Sequence, residues 1–519
     1  MSQLNVERGY SLLHEPWIPI RTCAGRVERF GLLRVFENAE GLGEIDHPSP
    51  LVTLCLYRLL LVCLYRTQVV KTDADWLNLW KSGWDANAIN EYFQKYSDRF
   101  DLLSDTHPFL QPPAPSGGSE FPVSRLATDL DIWPFFNHEY KNPIDASDAA
   151  CRLIEACWYA IPGGTGYRQS LCCQSPCTII VGRNLRETLM LNLVPHSLMR
   201  QAPRQITQRN DFPIWEQEYP AREGNSYYRQ GIMDAWTFPM RCIKLIPMGD
   251  GLRSFSQVEF EAIKFVGDEN ERILKADPMQ AIQRGTDGNF RALRVTDNRA
   301  LWRDSGALFA HLKDAERQPA LAFRMLQRLA SEGAIDFSGS NTVSCRVIWL
   351  LYKQRNVTRW GDDRFVLPVN IFGGRGETLT DHLNQALSLA EDVYEGLVNS
   401  IITYANKYAE KEGQKANRYK PTETVESFKR NNSYWTSLEL PFHQFLSGLD
   451  DCELALSNWR KTLMRSACDA FDKFLQRQSL SGRHCRALVA AEITFKFGKK
   501  GIFRLMPADP TEKEKDDER

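Results

Sequence analysis

The run LVTLCLYRLLLVCLY at residues 51–65 carries a single charge, Arg58, in fifteen residues. A helix without a polar face has to be covered on every side. A helix crossing a bilayer needs about 20 apolar residues, and this one is shorter, with an arginine near its middle. The run therefore predicts a buried helix. The chain can build a core around it: 519 residues at 43% hydrophobic and 25% charged is ordinary globular composition, and the length predicts two or three domains. The 13 cysteines are odd in number and include no C-x-x-C pair, which argues against a disulfide scaffold. The N-terminal MSQLNVERGY has no basic segment followed by an apolar one, so no signal peptide is expected. Together these features predict a soluble, cytoplasmic protein without a membrane partner.

The first 370 or so residues mix short apolar runs with helical patterns. CTIIV at 177–181, CIKLIP at 242–247 and FVLPVNIF at 365–372 look like strands, and residues 51–67 and 307–331 like helices. The order is irregular and shows no repeating βαβ unit, so the expected class is α+β. After Gly373-Gly374, where a hinge is expected, four long amphipathic segments follow, at about 378–412, 424–446, 450–478 and 482–497. The first shows apolar residues at three and four spacing: Leu383, Ala386, Leu387, Leu389, Ala390, Val393, Leu397. The expected organisation is a mixed α/β domain over residues 1–373, a four-helix bundle over 374–507, and a charged, disordered tail over 508–519.

The signatures of catalysis are missing. No two of the nine histidines lie within five residues, so no helix carries an H-E-x-x-H zinc face. The glycine-rich stretch at 163–166 lacks the third glycine of a dinucleotide fingerprint and the Lys-Ser/Thr of a P-loop. The cluster Cys172, Cys173, Cys177 has neither the spacing nor the partner pair of a zinc site. No catalytic residue, cofactor or metal is expected. The net charge of −1 is unlike a free-standing DNA-binding protein. Locally, however, residues 183–209 carry five Arg against one Glu, 284–303 five Arg against two Asp, and 496–504 four cations and no acid. Such patches suit a subunit whose partners supply much of the field.

Three segments could touch nucleic acid. Residues 162–168, PGGTGYR, offer backbone free of side chains and then a Tyr and an Arg, apt for close approach to phosphate or a narrow groove; a plain turn is the alternative. Residues 348–367 place Lys353, Gln354, Arg355, Asn356, Thr358 and Arg359 at a polar tip between apolar legs, with Trp360-Gly361-Asp362-Asp363 read as a turn. Residues 130–142, LDIWPFFNHEYKN, cluster aromatics that could stack on unpaired bases.

In this order, the segments resemble the large subunit family (CasA) of the type I-E CRISPR surveillance complex, Cascade. The likeness opens at Leu12-Leu13…Trp17-Ile18-Pro19, similar to the family's L-L-x-x-x-W-I-P. It continues through His107-Pro108-Phe109-Leu110-Gln111 and the glycine loop, and ends in the helical segments. The resemblance implies that Phe135, Phe136 and Asn137 dock near the crRNA 5′ handle and the neighbouring subunits. It implies that Gly163, Gly164, Thr165 and Gly166 read the protospacer-adjacent motif (PAM) of double-stranded DNA from the minor groove. Arg284, in Gln283-Arg284-Gly285, falls where the family's basic finger is usually Lys, and Lys353, Arg355 and Asn356 fall at a strand-separating wedge that is usually Asn-Gln. Some members carry a Cys-rich metal knuckle; the matching residues 247–260 hold no Cys, so no zinc is expected. The implied partners are crRNA, target duplex, the backbone, small-subunit dimer and 5′-handle-binding subunits, and a helicase–nuclease. The minor groove carries a degenerate code, which suits a backbone loop plus one long cation, while the guide reads sequence by pairing. The competing reading is a nucleotide-dependent enzyme using the loop at 163–166, with Asp362-Asp363 as its only adjacent acidic pair near basic groups.

Overall fold

The computed structural model describes residues 9–114, 117–127, 143–161, 169–170, 173, 175–201, 211–220, 231–249, 253–263, 277–297, 299–335, 341–353, 356–409, 422–431, 433–478 and 482–506. They divide into two compact units, one of residues 1–299 with 307–365, the other of 300–306 with 366 onward.

The apolar run forms the helix Pro50–Thr67 at the centre of the first unit, with every residue from Pro50 to Tyr65 buried. By length and composition alone the helix would pass as a membrane span, but 89% of it is buried inside the fold. Helices Ala146–Trp158, Leu185–Asn192, Ile232–Thr237 and Ala86–Lys95 and strand Thr342–Lys353 pack around it. Arg58 is 2% exposed and meets the fully buried Asp277 at 2.6 Å. Asp277 also accepts from Trp236 Nε1 at 2.8 Å, and the guanidinium lies over the Trp236 ring. A charge buried this deeply has to be paired and hydrogen-bonded to be tolerated.

Four antiparallel sheets surround this core among the described residues. Ile18–Thr22 lies between Val27–Phe30 and Leu42–Ile45. Ser254–Ala262 pairs with Ser119–Pro122, Ile144–Asp145 and Arg241–Pro247. Thr342–Lys353 lies between Cys177–Val181 and Asn356–Pro368. A small sheet joins Phe290–Ala292, Ile282–Arg284 and Arg317–Gln318. Antiparallel sheets with helices segregated from them make the fold α+β, as expected from the sequence. The single helix expected at 307–331 is instead two, Ser305–Leu308 and Leu321–Ser331. Between them, Asp314 Oδ1 caps a turn, accepting from the backbone N–H of Glu316 and Arg317 at 2.9 Å each, and Pro319 follows the short strand, where a helix could not continue.

In the second unit the helix Gly376–Ala409 packs against Gly482–Phe497, Cys452–Gln476 and Thr422–Asn431, and Ser433–Ser447 packs against Cys452–Gln476. Leu383, Ala386, Ala390, Val393 and Leu397 are buried, as their spacing demands, while Leu387 and Leu389 are only partly covered. The segment expected as one helix at 424–446 is two, Thr422–Asn431 and Ser433–Ser447. Gly373 and Gly376 form turns ahead of the long helix. The unit also takes in Ala300–Gly306, which the sequence pattern assigns to the mixed domain. The reason is aromatic. Trp302 is 2% exposed, stacks on Phe442 at 4.6 Å and meets Trp459 edge-on at 6.3 Å. Beside it Arg303 forks onto Glu391 and lies 3.5 Å over the Trp435 ring.

Candidate nucleic-acid interface

Strands Thr342–Lys353 and Asn356–Pro368 are the two legs of the expected hairpin, and polar pairs fix one against the other. Arg346, 5% exposed, donates through Nε and Nη2 to Asp362 at 2.5–2.9 Å and through Nη1 to the Ile45 carbonyl at 3.0 Å. Arg364 forks onto Glu44 at 2.8 and 3.0 Å. Trp349 Nε1 donates to Asp363. These contacts correct the reading of residues 360–363 as a turn. They lie within a strand, and Gly361 is there because a Cβ would run into the Trp349 indole. Lys353 and Asn356 are exposed at the end of the legs; Gln354 and Arg355 lie outside the described residues. Arg359 lies 5.6 Å over the Trp349 ring.

The glycine loop is described only at its feet, and Gly163, Gly164, Thr165 and Gly166 lie outside the described residues, as do Phe135, Phe136 and Asn137. The feet are tightly closed. Ala160 N donates to Ser170 Oγ and Ser170 N to the Ala160 carbonyl, both at 2.8 Å. Cys173 Sγ donates to the same carbonyl at 3.0 Å, and Arg241 donates to the Ile161 carbonyl. Across from this base, Tyr352 Oη donates to Gln169 Oε1 at 2.5 Å. Burial raises the Tyr352 phenol above its ordinary pKa, Cys173 adds to this and the Arg294 guanidinium opposes it. The foot of the loop and the end of the hairpin thus meet at this hydrogen bond.

Arg284 sits on its own small hairpin, where Ile282–Arg284 pairs with Phe290–Ala292 and Gly288 turns the chain at φ +77°. It lies 5.0 Å from the Phe290 ring and 3.6 Å from Glu316, at 41% side-chain exposure. Arg294, ten residues on, is exposed and has no acidic partner among the described residues, and the same is true of Lys353. The basic run at 284–303 signalled the region; the sequence could not rank its arginines, because pairing to Glu316 or Asp287 is a property of the fold.

The model of the family CRISPR-associated protein Cse1 matches residues 11–470. The chain belongs to this Cse1 family. It is 27% identical over 513 residues to a CRISPR-associated protein CasA/Cse1 of Thermus thermophilus, covering 94% of this chain and 96% of that protein. A crystal structure of Thermus thermophilus CasA superposes with a TM-score of 0.77 at 26% identity, covering 96% of this chain and 99% of that one. A chain of a CRISPR RNA-guided surveillance complex shares the fold at a TM-score of 0.71 and 16% identity, over 93% of this chain and 98% of its own length. The family is that of CasA, the Cascade large subunit, which the ordered motifs resemble, and this chain is such a subunit.

The motifs that carry the resemblance are scaffold in this Cse1 chain. Leu12, Leu13, Trp17 and Ile18 are buried, and Trp17 Nε1 donates to the Leu12 carbonyl at 2.8 Å. In His107-Pro108-Phe109-Leu110-Gln111, Phe109 stacks on Phe100 at 5.5 Å, and Leu110 takes φ +56°. The Gln111 amide bridges the Leu102 carbonyl and the Leu245 N–H at 2.8 and 2.9 Å.

Proposed function

We propose that this Cse1 chain recognises a PAM in double-stranded DNA from the minor groove, separates the first base pairs to start R-loop formation, and helps bring in the helicase–nuclease. The observation that carries the reading is the hydrogen bond that joins the glycine-loop foot at Gln169 to the hairpin end at Tyr352, beside a basic run in which Arg294 is exposed and has no acidic partner among the described residues. A glycine loop on rigid feet brings backbone to a groove floor. A strand pair locked by Arg346–Asp362 is stiff enough to push between bases. A cation without an acid is available to phosphate. The guide supplies sequence recognition by pairing with the target strand, so the subunit needs no broad base readout. The reading assigns the chain no catalytic role: Asp362 and Asp363, the carboxylates that a nucleotide-dependent enzyme would turn toward Mg²⁺, are engaged by Arg346 and Trp349. Its partners are crRNA, the backbone, small-subunit and 5′-handle-binding subunits, and the cutting enzyme, in the cytoplasm.

The test uses the assembled complex and two targets, one fully paired and one unpaired next to the PAM. Arg355→Ala with Asn356→Ala should slow opening of the paired target and be rescued by the pre-opened one, since each base step costs about 1.4 kcal/mol of stacking. Gly166→Ala and Arg284→Ala should weaken both, a groove or phosphate contact being worth roughly 1–3 kcal/mol. Equal defects of the double variant on the two targets would overturn the wedge assignment.

A further inference from the structure

Arg125 lies in the short helical turn Val123–Leu126 that follows strand Ser119–Pro122. Val123 and Leu126 are buried, which fixes the backbone of the turn, while Arg125 is exposed. Its guanidinium lies over two rings, Phe121 at 5.3 Å and Phe260 at 5.2 Å, and these rings meet edge-on at 6.2 Å. We propose that Arg125 is a phosphate-binding residue that holds one phosphodiester group of the nucleic acid carried or opened by the assembled complex. This rests on the nucleic-acid reading given above and adds a contact on a different sheet from the hairpin.

The strand register explains why this cation is uncompensated. Ser119 lies opposite Phe260, Glu120 opposite Glu259 and Phe121 opposite Val258. Opposed residues share a face of a sheet and successive ones alternate. Phe121, Val258 and Phe260 therefore occupy one face, and Glu120, Glu259 and Glu261 the other. Arg125 stands with the rings, and among the described residues no carboxylate or carbonyl engages its guanidinium. The rings also hold the side chain in place before a ligand arrives, so less freedom is lost on binding. Contact with ring faces leaves the N–H donors without an oxygen partner, and their planar fork matches the oxygens of a phosphate better than the point charge of a lysine would.

Arg125→Leu keeps an apolar cover over the rings and removes the donors, so it separates a phosphate contact from mere shielding of the rings by the arginine stem. Two affinities are measured over a range of salt: that of this chain for the rest of the complex loaded with guide RNA, and that of the whole complex for a PAM-bearing duplex. On the strand that Arg125 reaches, the variant should bind about tenfold more weakly, as loss of a charged hydrogen bond does. The slope of log K against log salt should fall by about 0.7 for a single-stranded guide or about 0.9 for a duplex. Guide and target are then made with one neutral methylphosphonate linkage at a time. One linkage should weaken wild type and leave Arg125→Leu no weaker than it already is, because linkage and variant remove the same contact; the strand that carries it identifies the source. Arg125→Lys keeps the charge and should restore the salt slope but only part of the affinity, which keeps the test decisive should the leucine variant fail to assemble. Absence of such a linkage from both guide and target would overturn the assignment, including the case in which Arg125→Leu weakens assembly by losing a carboxylate of a neighbouring subunit. Gly166→Ala and Arg284→Ala, measured in parallel, separate the two levels. If they are impaired on the duplex and no linkage couples to Arg125, the phosphate site alone fails. If they bind the duplex like wild type, the groove reading fails, and a guide linkage coupled to Arg125 would still support the phosphate site.

Discussion

Replacing Asp277 by Ala would leave the Arg58 guanidinium inside the central helix without its carboxylate. Breaking a buried pair from one side typically costs about 3–5 kcal/mol, so Asp277→Ala should lower the unfolding free energy in denaturant titrations by about that amount; a loss below about 1 kcal/mol would mean that the site relaxes or admits water. His47 makes a second residue-scale prediction. Its ring accepts from the Ser49 N–H at 2.9 Å, and burial, then the nearby Arg152, lowers its pKa to about 3 from an ordinary 6.5. His196 is lowered in the same way, by burial first, to about 4. A depressed folded-state pKa means that the unfolded chain binds more protons between those values. The stabilisation is therefore complete above about pH 6.5 and is lost as the pH falls toward 3. Thermal melts at about pH 7.5 and pH 5 should show a smaller acid-induced drop in Tm for His47→Gln than for wild type. An equal drop in both would show that other groups set the acid limb.

At the scale of elements, the hairpin shows what the sequence could and could not reveal. Its two apolar runs were legible as the flanks of a hairpin, and the polar tip between them was visible as a break in the pattern. Trp360-Gly361-Asp362-Asp363 has turn composition, yet it lies in mid-strand, because the partners that make it a strand, Arg346, Trp349 and Glu44, come from elsewhere in the chain. The helix Pro50–Thr67 was legible because its apolar run of fifteen residues, shorter than a bilayer requires and carrying Arg58 near its middle, calls for cover by protein on every side. Among the candidate site residues, Arg284 lies on a small hairpin, but its pairing to Glu316, and the lack of an acidic partner for Arg294 among the described residues, depend on contacts that no local pattern encodes. Gly361 offers the test at this scale. Gly361→Ala puts a Cβ into the Trp349 indole, and overpacking of this kind costs typically about 1–3 kcal/mol. The variant should unfold earlier in a thermal melt, and pairing it with Trp349→Phe, which shortens the ring system, should recover part of the loss. Wild-type stability of the single variant would show that the legs spread freely.

For the whole molecule, a net charge of −1 with cations gathered into separate patches bears on the DNA contact proposed above. The isolated subunit should bind arbitrary duplex no better than the usual non-specific range of about 10⁻⁴–10⁻⁶ M at physiological salt, and tight binding should appear only after assembly with crRNA and the partner subunits. Nanomolar binding by the isolated chain, measured by anisotropy at about 150 mM salt, would contradict this.

The placement of Ala300–Gly306 among the C-terminal helices has a consequence for the order of events during synthesis. Trp302 leaves the ribosome 140 residues ahead of Phe442, the ring it stacks on. At about 5–20 residues per second, the indole waits on the order of ten seconds for its partner to be made, while the following segment, residues 307–365, returns to the first unit. Neither unit is a continuous stretch of the gene. A fragment beginning at residue 374 would lack the tryptophan that fills its own core, and a fragment ending at 373 would carry that tryptophan with nothing to cover it. The reading frame cannot be cut into the two bodies that the folded chain contains.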